Sequence, residues 1–116
     1  MTERQVIQVV GEDCAAGLLQ RKGLKVLARN WRCKLGELDL VAMDGTTIVF
    51  VEVKCRSRDH LYDPSLAVDF RKQSKVRKVA EAYLWAEHPA YRDCRFDVVS
   101  VVAGHPVTCR HLVDAF

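Results

Sequence analysis

Apolar and polar positions alternate along the first half of the chain with two different periods. Residues 12–22 carry apolar side chains at helical spacing, and Gly23 is a natural helix stop. Residues 5–10 fit either an extension of this helix or a short strand. The dipeptide Asp44-Gly45 is a strong hairpin signal between two β-rich segments. The pattern therefore predicts a helix followed by three strands at residues 24–33, 37–43 and 47–55.

The second half of the chain also predicts a helix followed by strands. Residues 65–88 are mostly helical in pattern, and Pro89 ends the segment. Residues 95–103 are rich in valine and predict a fourth strand, with a weaker strand after Pro106. An order of helix, three strands, helix and one or two strands is typical of the α/β class with a mixed sheet. We expect a mixed β-sheet flanked by helices.

The composition is that of one ordinary globular domain. The chain has 116 residues, of which 49% are hydrophobic and 28% charged, with no repeat or Pro/Gly/Ser linker, so we expect a single domain over residues 1–116. The net charge of +3 permits nucleic-acid binding without requiring it. Five cysteines form no disulfide framework, and neither a signal region nor a stretch of ~20 apolar residues occurs. We expect a cytoplasmic protein with reduced thiols and no membrane contact.

Zinc binding is an alternative use of some cysteines. His105, Cys109 and His111 lie close in sequence, with Cys94 upstream. A closed zinc site needs four well-placed ligands, and no paired CxxC motif supports one here. The favoured interpretation is that these cysteines are small buried side chains.

Charged residues interrupt the second and third predicted strands. Alternation places Glu37 and Asp39 on one face of a strand, and Glu52 and Lys54 on one face of the next. The hairpin turn decides how they meet. A two-residue loop at Asp44-Gly45 pairs Glu37 with Glu52. A four-residue loop from Asp44 to Thr47 pairs Asp39 with Glu52 and Glu37 with Lys54. In either case we expect the charged groups to converge on one side, whereas a three-residue loop would scatter them.

Two or three clustered carboxylates in an apolar sheet repel each other and lose hydration. A divalent cation removes that penalty, and oxygen ligands suit Mg²⁺. The ammonium of Lys54 is placed to orient an attacking water or to stabilise developing negative charge. Cross-strand ion pairing on a solvated face explains the same pattern, and the chemistry alone leaves both interpretations open.

The order of these motifs resembles a known family. Gly36 to Val41 reads GELDLV, a Gly-containing turn follows, and Phe50 to Arg56 reads FVEVKCR. Flanking blocks are Gly11-Glu12-Asp13, the segment RNWR at 29–32 and the segment RFDVV at 95–99. Together they resemble the YraN family of small bacterial proteins and the PD-(D/E)xK nuclease superfamily, with archaeal Holliday-junction resolvases as relatives. The resemblance implies a restriction-endonuclease-like fold, with a mixed β-sheet core flanked by helices on both faces.

The resemblance also implies roles for particular residues. Asp39 and Glu52 match the two metal-binding carboxylates, and Lys54 matches the lysine of the motif. The backbone carbonyl of Val53 is the expected additional ligand, and Glu12 matches the first-helix carboxylate. Glu37 lies in the family block as a supporting or second-metal carboxylate. The proline of the superfamily's name is absent, because Leu38 precedes Asp39.

Basic residues downstream of this motif form the expected substrate contacts. They are Arg56, Arg58, Arg71, Lys72, Lys75 and Lys78, of which Arg71, Lys75 and Lys78 share a helical face. Such residues neutralise phosphates, although a solubilising helix face has the same pattern. The aromatic and basic group around Trp31 suggests either base stacking or packing, and packing is favoured.

The sequence therefore predicts a nuclease that hydrolyses phosphodiester bonds in DNA, including branched or repair intermediates. The expected cofactor is Mg²⁺, with Mn²⁺ as a substitute, and a homodimer is expected by analogy with resolvases. The alternative is a nucleic-acid-binding module that keeps the fold but does not cleave. A third interpretation is an interaction protein that uses the apolar C-terminal segment, residues 112–116.

Overall fold

The computed structural model describes residues 1–56 and 69–116. Its two helices and five strands follow the predicted order, and the weak segment after Pro106 is a strand. The start of the second predicted helix, residues 65–68, lies outside the described residues. The elements are α1 Glu3–Arg21, β1 Lys25–Cys33, β2 Gly36–Asp44, β3 Thr47–Arg56, α2 Phe70–Glu87, β4 Asp93–Val102 and β5 Thr108–Leu112.

The N-terminal helix is longer than the apolar pattern required. A capping box starts α1 at Thr2, because the Gln5 N–H donates to Thr2 Oγ1 over 3.1 Å and the Thr2 N–H donates to Gln5 Oε1 over 2.8 Å. Residues 5–10, which also fitted a strand, are therefore helical. In α2, the Asp69 carboxylate caps the helix start by accepting from the Lys72 N–H.

The five strands form one mixed sheet in sequential order, β1-β2-β3-β4-β5. All neighbouring pairs are antiparallel except β3 and β4, which run parallel across the connection that contains α2. Each helix covers a different set of core residues. Ala15, Ala16 and Leu19 of α1 pack on one cluster, and Val76, Val79 and Tyr83 of α2 pack on the other.

In β3 these two clusters alternate residue by residue. Val49, Val51 and Val53 belong to the α1 cluster, and Ile48 and Phe50 belong to the α2 cluster. The sheet is therefore covered on both faces, which confirms the predicted α/β class and is compatible with a restriction-endonuclease-like fold. In the part of the chain that is described, neither helix is long and apolar enough to cross a membrane.

Candidate active site

The β2–β3 hairpin adopts one of the two registers that the sequence left open. Asp44 pairs with Thr47 and Met43 with Ile48, which gives the register that aligns Asp39 with Glu52. The turn itself has two residues, Gly45 and Thr46, so the four-residue loop expected for this register is wrong in length. The ladder, however, ends at the pair Leu40–Val51. Beyond this pair β3 continues along β4, while β2 continues along β1. The two strands therefore diverge at Asp39 and Glu52.

The alternation of β2 also breaks at this point. Leu38 packs in the α2 cluster, whereas Leu40 packs in the α1 cluster. Residues two apart in a regular strand face the same way, so one irregular position lies between them. That position is Asp39. The neighbouring strand changes at the matching place, because Asn30 has a left-handed φ of 52°.

Asp39 fills the gap between the diverging strands. Its Oδ2 accepts a hydrogen bond from the Val53 main-chain N–H over 2.8 Å. Burial, together with the negative charges of Glu52, Glu12 and Glu37, raises the pKa of the Asp39 carboxyl to about 7, although the hydrogen bond from Val53 lowers it. A carboxyl that is disfavoured as the anion by burial and by three other carboxylates gains from a nearby cation.

Glu12 approaches the gap from α1. It is buried, and its two oxygens accept from the Gln8 side chain and the Asn30 side chain, each over 3.3 Å. Together with burial, the charges of Glu12 and Asp39 also raise the pKa of the Cys55 thiol to about 11. The interior next to Asp39 therefore carries a strongly negative potential.

A cleft of about 430 Å³ opens beside these carboxylates. Glu37 lines it and forms an ion pair with Arg32, with 3.4 Å between Glu37 Oε2 and Arg32 Nε. The other lining residues come mainly from α1 and β1. The full set is Met1, Gln5, Gln8, Val9, Glu12, Asn30, Arg32, Glu37 and Asp39.

Glu52 forms an ion pair on the face of the sheet that α2 covers, opposite the face covered by α1. Its side chain is 9% exposed, and Lys72 Nζ of α2 lies 3.0 Å from its Oε1. Lys54 follows two positions later in β3, on the same strand face, and is half-buried beside Ser100 of β4. Glu52 and Lys54 therefore lie toward α2, while Glu12 lies toward α1.

The charged side chains were expected to converge on one side of the sheet. In the structure they approach Asp39 from both faces of the sheet instead. The reason is the break at Asp39, which sequence alternation does not reveal. Asp39 lies where the two faces meet. Its Oδ2 accepts from the main-chain N–H of Val53, the residue between Glu52 and Lys54 in the sequence. The point where β2 and β3 diverge, here called the fork, brings Asp39 within electrostatic reach of Glu12, Glu37 and Glu52.

The donor chemistry of this cluster fits a hard divalent cation, since carboxylate and carbonyl oxygens are the ligands that Mg²⁺ prefers. Among the residues that the structure describes, no three His, Cys, Asp or Glu side chains are grouped closely enough to hold a metal ion as they stand. Glu52 is held by Lys72 and Asp39 by the Val53 amide. Both central carboxylates are therefore already bound by groups of the protein itself.

The predicted substrate residues separate into distinct places. Arg71, Lys75 and Lys78 line an open groove of about 590 Å³ along α2, together with Leu35, Phe70 and Ser74. Lys72 lies on the same helix but contacts Glu52 instead of this groove. Arg56 ends β3, where its carbonyl accepts from the Ala103 N–H over 2.8 Å. Arg58 lies outside the described residues.

Asn30 is the site residue that sequence reasoning passed over. It contacts Glu12, lines the cleft and adopts the left-handed backbone that breaks β1. The available signal was an asparagine inside a predicted strand, because asparagine is depleted in strands and tolerates positive φ.

The zinc alternative is not supported by the described geometry. Cys109 Sγ lies 3.0 Å from Cys14 Sγ, and His111 contacts Asp97 through Nε2 at 2.7 Å and Lys22 through Nδ1 at 2.7 Å. These partners belong to structural contacts between β5, β4 and the C-terminal end of α1. The expectation that the cysteines are buried is wrong, because four of them are half-buried and Cys94 is exposed. Trp31 packs edge-on against Tyr83 with 5.3 Å between ring centroids, which agrees with the favoured packing role.

Comparison with known proteins identifies the family. The sequence profile of the family described as "Uncharacterised protein family UPF0102" matches residues 11–101. This chain belongs to the UPF0102 family. The finding confirms the resemblance to YraN proteins that the motif order indicated.

Relatives in the UPF0102 family cover nearly all of the chain. A "UPF0102 protein" of Nocardia farcinica is 40% identical and aligns with 98% of this chain and 91% of the relative. One from Moorella thermoacetica is 48% identical over 87% of this chain and 83% of the relative. One from Myxococcus xanthus is 44% identical over 98% and 91%. The family match spans Glu12, Glu37, Asp39, Glu52 and Lys54, so the whole candidate site lies inside the UPF0102 region.

Proposed function

We propose that this UPF0102 protein is a Mg²⁺-dependent nuclease of the PD-(D/E)xK superfamily that hydrolyses phosphodiester bonds in DNA. The observation that carries the proposal is the position of Asp39. Its carboxyl lies in the fork between β2 and β3, where burial and three neighbouring carboxylates raise its pKa to about 7. Such a cluster costs stability in the absence of a cation, and functional sites are where such costs are found.

The residues that would hold the metal are Asp39, Glu52, the Val53 carbonyl and Glu12. When bound, Mg²⁺ would act as a Lewis acid at the phosphate and would lower the pKa of a water ligand. Lys54 projects from the same strand face as Glu52, and its ammonium would orient the attacking water. Asn30 and Gln8 hold the Glu12 carboxylate in place through its two oxygens. Glu37, paired with Arg32 at the cleft, would add negative charge near Asp39 and so favour a bound cation.

Cleavage of labelled DNA tests this proposal directly. Purified protein with Mn²⁺ is incubated with single-stranded, duplex, flapped and four-way-junction DNA, beside Asp39→Asn and Glu52→Gln. Asp44→Asn is the matched control, because Asp44 ends the same strand as Asp39 but pairs with Arg95 at 3.1 Å outside the cleft. We expect the control to cut like the wild type and both site variants to lose cleavage. Normal cutting by either site variant would remove that residue from the site.

A nucleic-acid-binding module that does not cleave is the second candidate. The ion pair between Lys72 and Glu52 favours it, because Lys72 already supplies a positive charge to one of the two central carboxylates. Bands that shift without being cut, with any of the DNA substrates or with RNA, would support this candidate. A homodimer remains a separate prediction, which the elution volume of the purified protein on gel filtration checks.

A further inference from the structure

The groove along the N-terminal half of α2 combines exposed apolar surface with positive charge. Phe70 is 85% exposed and Leu35 is 54% exposed, which makes Phe70 the most exposed large aromatic side chain in the described ranges. Arg71, Ser74, Lys75 and Lys78 complete the lining. We infer that this groove binds unpaired nucleotides of a DNA strand, with a base stacked on the ring of Phe70 and the phosphates on the three cations.

The helix itself gives no reason for the exposed ring. Phe70 is the first residue of α2, directly after the capping Asp69, and it belongs to neither core cluster of the described residues. A phenylalanine adds nothing to helix capping at this position. Phe70 and Leu35 form an apolar patch rimmed by polar side chains, which is typical of an interaction site. Phe70, Ser74 and Lys78 recur at intervals of four and therefore lie on one side of α2.

A close backbone contact fixes the other wall of the groove. The turn before β2 approaches α2 at Gly36, where an added Cβ would lie 3.1 Å from Lys75 Cε and 3.2 Å from Val79 Cγ2. Gly36 also has a φ of 146°, which favours glycine. Leu35, the residue before Gly36, lines the same groove as Phe70. This part of the lining therefore belongs to the β1–β2 hairpin, whose second strand carries Glu37 and Asp39.

The chemistry of the lining favours a nucleic acid strand over a protein partner. Two of the six lining residues are lysines, and lysine is depleted in protein interfaces, whereas arginine and lysine supply phosphate contacts. A duplex buries its base faces in the stack, so only unpaired bases offer a face to an aromatic ring. An open, basic groove with an aromatic end matches a single strand.

The groove leads to the carboxylates. From Gly36 to Asp39 the distance along β2 is three residues, or about 10 Å. Lys72, which contacts Glu52, lies one turn before Lys75 on α2. A strand bound in the groove would thus continue to the fork. The inference rests on the proposed function for its meaning, since it names DNA with unpaired bases next to the scissile phosphate as the substrate class.

Binding without metal separates this inference from cleavage. We would measure fluorescence anisotropy of a labelled oligo-dT of about 12 nucleotides in EDTA, and of a duplex of the same length. The variants are Phe70→Leu, which keeps an apolar side chain, and Phe70→Tyr, which keeps the ring. Trp85→Leu is the matched control, because Trp85 is 75% exposed on the same helix but lies outside the groove.

We expect Phe70→Leu to bind oligo-dT about 5- to 150-fold more weakly, with duplex binding and the salt dependence unchanged. Phe70→Tyr and Trp85→Leu should bind as the wild type does. Wild-type affinity in Phe70→Leu, or equal losses for oligo-dT and duplex, would overturn the inference. So would a changed oligomeric state of Phe70→Leu on gel filtration with unchanged DNA affinity, since it would assign the groove to a protein partner. If oligo-dT binding depends on Phe70 but the protein cuts no DNA, the binding role of the groove stands and only the proposed nuclease activity is wrong.

Discussion

Lys72 on α2 reaches across to β3 and contacts Glu52, with 3.0 Å between Nζ and Oε1. Burial of Lys72 lowers its pKa, but the hydrogen bond and negative charge of Glu52, with Asp39 and Asp69, outweigh burial and raise it. The basic pattern of α2 had placed Lys72 among the nucleic-acid contacts. The contact instead makes Lys72 a competitor of any metal ion for Glu52.

Removing this competitor should strengthen metal binding. We expect Lys72→Met to bind Mn²⁺ about 2- to 5-fold more tightly than the wild type in isothermal titration calorimetry, the range set by a partly exposed ion pair. Lys78→Met, on the same helix but in the groove, is the control and should not change the affinity. Weaker or unchanged Mn²⁺ binding in Lys72→Met would show that Glu52 does not bind the metal.

The raised pKa of Asp39 should make stability depend on pH in metal-free buffer. The folded protein holds a proton on Asp39 up to about pH 7, whereas the unfolded chain loses it near the ordinary value of 3.8. Between these values the folded state binds more protons, so this carboxyl lowers the free energy of unfolding as pH rises, and the loss is complete above about 7. The asparagine in Asp39→Asn cannot ionise, so this contribution to the pH dependence of the free energy of unfolding is absent in the variant.

Urea denaturation with EDTA at about pH 5 and about pH 8 measures this difference. Relative to the wild type, Asp39→Asn should be more stable at the higher pH than at the lower. Asp44→Asn is the control, because Asp44 is an exposed carboxylate on the same strand. A stability difference between Asp39→Asn and wild type that does not change with pH would mean that Asp39 ionises normally.

The cations of the groove should determine the salt dependence of DNA binding. Each phosphate contact to a single strand contributes about 0.7 to the slope of log K against log salt. We therefore expect Lys75→Ala with Lys78→Ala to reduce that slope by about 1.4 for oligo-dT. The control pair is Lys25→Ala with Arg92→Ala, two exposed cations outside the groove. An unchanged slope in the Lys75/Lys78 variant would exclude both lysines from the binding surface.

Close packing of α1 on β3 predicts a compensating pair of substitutions. A Cβ on Gly11 would clash with Cys55 Sγ, so Gly11→Ala should destabilise the fold by about 1–3 kcal/mol. Combined with Cys55→Ala, which removes the sulfur, the cost should shrink, and a double-mutant cycle by urea denaturation measures the coupling. Gly17→Ala is the control, because its Cβ would meet only Arg21 Nη1, at 3.3 Å, and helix propensity favours alanine. Strictly additive effects would argue against the contact.

A buried ionic network should make β5 sensitive to acid. Burial raises the pKa of Asp97, but hydrogen bonds from Arg95, the Asp114 N–H and His111 outweigh it and hold the pKa below 3.8. The resulting stability is present above the unfolded value and is lost as pH falls through the folded value. Asp97→Asn should lower the free energy of unfolding by about 3–5 kcal/mol at neutral pH. In urea denaturation, the variant should also lose less stability than the wild type as the pH is lowered. Asp44→Asn, which removes only the exposed partner of Arg95, should keep it.

The sequence by itself determined the order of elements and the residues of the motif. Period-2 and period-3.6 patterns are local, so they located the five strands and two helices of the described residues, including the weak strand after Pro106. Asp44-Gly45 located the hairpin but left two registers open, because turn residues alone do not set loop length. The order of the motif blocks identified the family from residues alone, and the family match confirmed it.

Only the tertiary structure decided how the charged residues meet. The break at Asn30 and Asp39 depends on two strands that change together, which no single-strand pattern contains. The sides from which Glu12 and Glu52 approach Asp39 follow from the helices that cover each face. The separate roles of Lys72 and Lys75 follow from where α2 packs on the sheet. Burial and long-range charge then raise the pKa of Asp39, and both are properties of the assembled fold, because residues distant in sequence supply them.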